Sequence, residues 1–128
     1  MTAKILPLTR RPRLYLAGPM RGRHRYNFDQ FDTATVELRN LGYDVISPAE
    51  HDLENGFDPD LGLDEQGFDL KAALAWDLQQ VLAADGVVTL AGWAHSSGAR
   101  AEVAVAQAVG TPVFEYDELT YHGTRVAA

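Results

Sequence analysis

The sequence predicts an α/β fold built on a mostly parallel sheet, and three observations lead there. Short apolar runs of strand length alternate with longer stretches whose apolar residues recur every three or four positions. The run Gly86 to Leu90 is apolar almost without interruption, as in a parallel strand covered on both faces. The 128 residues, 46% of them hydrophobic and none of them cysteine, suit one domain with a core of its own. Alternating strands and helices imply right-handed crossovers.

Residues 13–17 (Arg-Leu-Tyr-Leu-Ala) read as the first strand, ended by Gly18-Pro19. Asn27 is placed to cap a helix over about 28–41, in which Phe28, Phe31, Thr35, Leu38 and Leu41 share a face and Gly42 follows the end. Tyr43 to Ile46 is a second strand, closed by Ser47-Pro48. Residues 48–66 are rich in acids and turn formers and show no clear period, so they are expected to be a loop or lid. A helix over about 67–84 carries an apolar stripe of Leu70, Leu74, Leu78 and Val81, and Asp77 falls on that stripe. The third strand, 86–90, leads into a Ser-rich turn and a helix of about 98–109, where Ala99, Glu102, Ala106 and Val109 share a face. Residues 112–114 form a fourth strand, and the last dozen residues are ambiguous.

Composition narrows the function. Without cysteine there is no disulfide, thiolate metal site or Cys nucleophile. His24, His51, His95 and His122 are scattered without ligand spacing, so no metal is assigned. No apolar run is long enough for a membrane span and no secretory segment follows Met1, so a cytoplasmic protein is expected. The net charge of −7 hides an asymmetry: residues 1–28 hold no Asp or Glu, while Arg10, Arg11, Arg13, Arg21, Arg23 and Arg25 supply six of the eleven basic residues. The acidic remainder argues against polymeric nucleic acid as a partner. A local Arg cluster suits a small anion, with a solvated basic tail as the alternative for Arg10 to Arg13; residues 1–12 are expected to be a flexible tail.

Two carboxylates on faces that should be buried are costly unless paired or used. The turn Ser96-Ser97-Gly98 opens a helix, Ser97 is placed to cap it, and its exposed amides attract anions. Glu102 lies one turn further in, where the helix dipole favours its ionised form. The alternatives are plain capping, a surface Glu102 paired with Arg100 or Gln107, and a structural Asp77. Taken together, an acid and a nucleophilic carboxylate suit cleavage of a glycosidic bond, as in retaining hydrolases whose carboxyls sit roughly 5–5.5 Å apart. Trp93 could stack on an aromatic base or pack at the rim. The turn Gly18 to Gly22 has neither the dinucleotide nor the Walker spacing, yet its backbone and Arg21 could meet a phosphate. Loops after the first and third strands should share one site at the carboxyl ends of the sheet.

These motifs resemble a known family. Tyr15-Leu16-Ala17-Gly18-Pro19-Met20-Arg21-Gly22, Asn27-Phe28, Gly42-Tyr43 with Pro48, Asp77-Leu78 with Ala84-Asp85, and Ser96-x-Gly98-x-x-x-Glu102 are together similar to the nucleoside 2-deoxyribosyltransferase superfamily over about residues 13–115. Within it the chain resembles a compact branch related to the 2′-deoxynucleoside 5′-monophosphate N-glycosidases. The resemblance implies a flavodoxin-like Rossmannoid three-layer sandwich with a sheet of four or five strands. It implies an enzyme without cofactor that breaks the base–sugar bond of a nucleotide or nucleoside, and assembly into a homodimer or larger homo-oligomer. Glu102 matches the nucleophile and Asp77 the carboxylate that assists proton delivery to the leaving base. Tyr15, Gly18, Met20, Arg21, Gly22, Asn27, Trp93, Ser96 and Gly98 fall in substrate-binding motifs. Ser96 stands where transferases acting on free nucleosides carry an Asp, which favours a 5′-monophosphate. Pro19 departs from the Ser that the nucleotide hydrolases have there, and the acidic segment 50–66 has no counterpart.

Overall fold

The computed structural model describes residues 5–7 and 9–121. Four strands, β1 (Arg13–Ala17), β2 (Asp44–Ile46), β3 (Gly86–Thr89) and β4 (Val113–Glu115), form one sheet in the order β2-β1-β3-β4. Every pair is parallel. Among the described residues five α-helices accompany them: α1 (Phe28–Asn40), α2 (Pro48–Glu54), α3 (Leu70–Ala83), α4 (Ser97–Ala108) and α5 (Tyr116–Thr120). The result is the flavodoxin-like α/β architecture expected from the sequence.

The strand pleat makes the layers. Leu14 and Leu16 of β1 point to one face, where they pack with Phe28, Phe31 and Leu38 of α1, Ala49 of α2 and Val88 and Leu90. Tyr15 and Ala17 point to the other, against Val81 of α3 and Ala99, Val103 and Ala106 of α4. Tyr116 and Leu119 of α5 join the first layer. Helices therefore cover both faces; β3 is buried throughout and β1 from Leu14 on, as central parallel strands require, while the edge strands β2 and β4 are only partly buried. From β1 the chain goes first to β2 on one side and then to β3 on the other. That reversal opens a crevice beyond the carboxyl ends of β1 and β3.

Several local expectations are corrected. The segment after β2 is not all loop. Ser47 accepts from the Glu50 amide and Pro48 occupies the first turn, so α2 forms at once, and only the stretch after it is irregular. Asn27 precedes α1 but does not cap it. It sits in the left-handed region (φ 65°) and its Nδ2 donates to the Pro19 carbonyl (2.9 Å) and to Gln30 Oε1 (2.6 Å). Ser96, not Ser97, caps α4, accepting from the Ala99 amide at 3.2 Å. The apolar stripe of α3 is buried only at Val81, and Leu70 is exposed, because the upper part of that helix borders a cavity instead of the core. Val109 is likewise exposed, just past the end of α4. Where the N-terminal segment is described it is tied to the sheet. Arg10 makes a bidentate pair with Asp85 (2.7 and 2.6 Å), and Arg13 pairs with Asp44 (2.9 Å). His122 lies outside the described residues.

Candidate active site

At the crevice lies a cavity of about 310 Å³, the size that small-molecule sites favour. Three elements meet at its floor and directly behind it. Tyr15 comes from β1, Asp77 from the middle of α3 and Glu102 from the second turn of α4. Both carboxylates line the cavity, and they lie within hydrogen-bonding reach of each other. Glu102 is only 5% exposed and Tyr15 is fully buried, its hydroxyl donating to Glu102 Oε2 at 2.9 Å. The local logic is simple. Helix periodicity turns Glu102 toward the sheet with Ala99 and Ala106, and small neighbours leave room for the phenol to reach it.

Burial changes the proton chemistry from what the helix dipole alone would give. Removal from water pushes the Glu102 carboxyl well above the usual range, and the charge of Asp77 adds to it. Asp77 is also raised, first by burial and then by the charge of Asp52. A dipole contribution of about 0.3–1 kcal/mol cannot offset such desolvation, so the expectation that the helix dipole keeps Glu102 in its ionised form is corrected: burial outweighs it. The two acids behave as a pair that keeps one proton into the neutral range. The Tyr15 phenol is driven well above its ordinary value, chiefly by burial and then by Glu102, and so stays a donor.

Other predicted residues divide into two groups. Gly18, Met20, Arg21, Ser96 and Gly98 line the cavity. At Gly18 a Cβ would meet Leu90 Cβ at 2.9 Å, so glycine is needed for the sheet to close under the site. Asn27, Gly22 and Trp93 do not line it. Asn27 braces the turn after β1 through the Pro19 carbonyl, and Gly22 has a φ of 80°, which serves that turn. Trp93 packs on the apolar layer beneath α4.

The opposite wall was not foreseen. Asp52 of α2 faces the cavity, and burial pushes its carboxyl up to about 6. A signal for it was present. Ser47-Pro48-x-Glu50 marks a helix start, and Asp52 then falls three residues after the buried Ala49, on the inward face. Tyr26, Phe57 and Phe68 complete this wall; Phe57 meets Tyr26 edge-on at 5.0 Å and Phe68 at 5.2 Å. The segment after α2 is latched by Tyr26, whose hydroxyl donates to the Leu61 carbonyl (2.7 Å), and by Arg25 paired with Asp60 (2.9 Å). No spacing rule identifies aromatics in an irregular segment as a wall.

Among the described residues no three His, Asp or Glu side chains are placed to hold a metal ion, and no helix is long and apolar enough to cross a membrane. The geometry can be set beside known proteins. The solved structure of a 2-deoxyribosyltransferase from the psychrotolerant bacterium Bacillus psychrosaccharolyticus is similar, with a TM-score of 0.57 and 23% identity. The similarity covers 80% of this chain and 70% of that one, which shows a shared fold. No curated protein sequence matches the chain significantly. Residues 12–115 match the family described as "Domain of unknown function (DUF4406)". The chain belongs to that family, and its fold is that of the 2-deoxyribosyltransferases.

Proposed function

We propose that the chain cleaves the N-glycosidic bond of a (deoxy)nucleoside 5′-monophosphate through a covalent glycosyl–Glu102 intermediate. One observation carries the reading: two buried carboxylates within hydrogen-bonding reach of each other face one small cavity, with a buried phenol donating to one of them. In the first step a Glu102 oxygen attacks the anomeric carbon as the carbon–nitrogen bond breaks. The electron pair leaves with the base, which takes the proton of Asp77. In the second, water attacks the same carbon and gives a proton to the Asp77 carboxylate; the ester bond breaks and Glu102 is again a carboxylate. Tyr15 is a positioning residue for Glu102 and stabilises its charged form.

The phosphate preference rests on the mouth of the cavity. Ser96 accepts from the Ala99 amide, which leaves its hydroxyl proton for a phosphate oxygen, and Arg21 lines the same mouth. An Asp at position 96 would repel that group. The aromatic wall of Tyr26, Phe57 and Phe68 suits the flat face of a base, a role first sought in Trp93.

The test is incubation with a panel of nucleosides and nucleoside monophosphates, followed by chromatography of the released base. Release from monophosphates faster than from nucleosides is the expected result, with loss of release in Glu102→Ala. Transfer of the sugar to an added second base would point to a deoxyribosyltransferase instead. Binding without release from any substrate would leave a nucleotide-sensing domain.

A further inference from the structure

Among the acids of residues 50–69, Asp52 stands apart. Glu50 pairs with Arg39 at 2.7 Å and Asp60 with Arg25 at 2.9 Å. Asp58 accepts from the Asp60 amide, Glu65 accepts from the Gly62 amide, and Asp69 caps α3. Glu54 and Asp64 are exposed, where water serves them. Asp52 is partly buried and lines the cavity, and among the described residues no side chain or amide bonds its carboxylate. A carboxylate drawn out of water without a partner is costly, so this site gains when an occupant supplies donors.

The backbone joins that acid to the aromatic residues of the same wall. The Phe57 amide donates to the Asp52 carbonyl at 2.9 Å, which folds the chain back on the end of α2. Phe57 stacks on the core residue Phe28, centroids 5.6 Å apart and planes at 26°, and meets Tyr26 and Phe68 edge-on. Asp52, Tyr26, Phe57 and Phe68 all line the cavity. A flat ring held on aromatic side chains keeps its hydrogen-bonding groups at its edge. A carboxylate in the same wall is placed to read that edge.

An ionised carboxylate accepts hydrogen bonds and never donates, and the bases differ in what they offer it. Guanine carries a ring N–H beside an amino group, two adjacent donors that meet both carboxylate oxygens as an Arg fork does. Adenine and cytosine set one amino donor beside a ring nitrogen whose lone pair faces the second oxygen. Uracil and thymine flank a single N–H with two carbonyls. Arg21, the cation in the same lining, offers only donors and cannot read such groups. We propose that Asp52 is the specificity-determining residue of the cavity and selects guanine, accepting from its ring N–H and its 2-amino group together. The inference rests on the nucleotide reading of the site and names the base which that reading leaves open.

The experiment measures binding of dGMP and dIMP, which differ only in the 2-amino group, by isothermal titration calorimetry near pH 7.5. The full chain carries Glu102→Gln to stop turnover, and a second protein adds Asp52→Asn to it. In the parent, dGMP is expected to bind tighter than dIMP by roughly 10–100-fold, the worth of one hydrogen bond to a charged acceptor. Asp52→Asn turns an amide donor toward one of the two N–H groups, so it should bring the two affinities within about threefold, chiefly by weakening dGMP. Equal binding of the two by the parent, a comparison that needs no change at Asp52, would overturn the inference and leave the nucleotide reading standing. So would tighter binding of dAMP, dCMP or TMP than of dGMP, or a guanine preference that survives Asp52→Asn in a protein that melts as its parent does. Failure of every nucleotide to bind would remove the nucleotide reading and this inference with it.

Discussion

The two walls of the cavity are built on different principles. One is made by β1, α3 and α4, whose backbones are fixed by the sheet and by two helices packed on it, and it carries Tyr15, Asp77 and Glu102. The other is made by the turn after β1, by α2 and by the irregular segment behind it, and it is held by side-chain pairs: His51 on Trp76, Tyr26 on the Leu61 carbonyl, Arg25 on Asp60. Residues 25–27 of that second wall all have positive φ (45°, 55° and 65°), although none is glycine. Conformations of that kind cost roughly 1 kcal/mol or more each and persist only where the surroundings enforce them. The comparison teaches a division of labour. Atoms that react sit on rigid elements, while contacts that choose and enclose a substrate sit on a segment that side chains can re-set.

That division is open to a series of substitutions, whose effects should fall from the rigid wall to the adjustable one. Glu102→Ala removes the attacking oxygen and should lower kcat by on the order of 10⁴-fold or more, read as released base, with the fold intact by circular dichroism. Asp77→Asn should cost about 10²–10⁴-fold, less for substrates whose base leaves without protonation. In Tyr15→Phe the buried carboxylate loses its donor, worth about 1.5–3 kcal/mol for a charged acceptor, so a loss of roughly 10–100-fold is expected, chiefly in kcat. On the adjustable wall Arg25→Ala should raise KM by less than about tenfold and leave kcat near its starting value. An effect of Arg25→Ala as large as that of Tyr15→Phe would erase the distinction between the walls.

Stability should divide along the same line. Asp77 and Glu102 have folded-state values above those of an unfolded chain, so the native state binds more protons than the unfolded one. Their contribution is then fully present below about pH 4 and is lost as the pH rises through the neutral range. Glu102→Gln, which keeps the shape and an acceptor for Tyr15, should therefore raise Tm relative to the wild type by on the order of a few degrees at pH 8, with little difference at pH 4. Arg25→Ala should leave that pH dependence unchanged. Melting curves at the two pH values check both.

The rigid wall is also the part that was legible in the sequence. Asp77 and Glu102 each interrupt a helical period, and a burial cost at such a position is visible without coordinates. The parallel pairing of the strands follows from alternation, and the Gly18 turn from its glycine. Asp52 was missed because acids and turn residues around it hid a seven-residue helix with no long period to reveal it. The aromatic wall was missed for another reason: Phe57 and Phe68 owe their place to the path of an irregular segment, and that path is fixed by tertiary pairs such as Arg25–Asp60. Trp93 looked suited to a base because of its neighbours in sequence, yet apolar burial beneath α4 claims it. Protonation was misjudged where dipole and desolvation compete, since their balance depends on depth, which a sequence does not state.

The central claim is that Glu102 forms a bond to the sugar. A nucleoside monophosphate bearing fluorine at C2′ should slow hydrolysis of that bond, because the electron-withdrawing atom destabilises the oxocarbenium-like transition state. Intact-mass spectrometry of the mixture is expected to show the chain heavier by one sugar phosphate, carried on the peptide that contains Glu102, and unchanged mass in Glu102→Ala. Base release with no adduct, or with the same adduct in Glu102→Ala, would contradict the account.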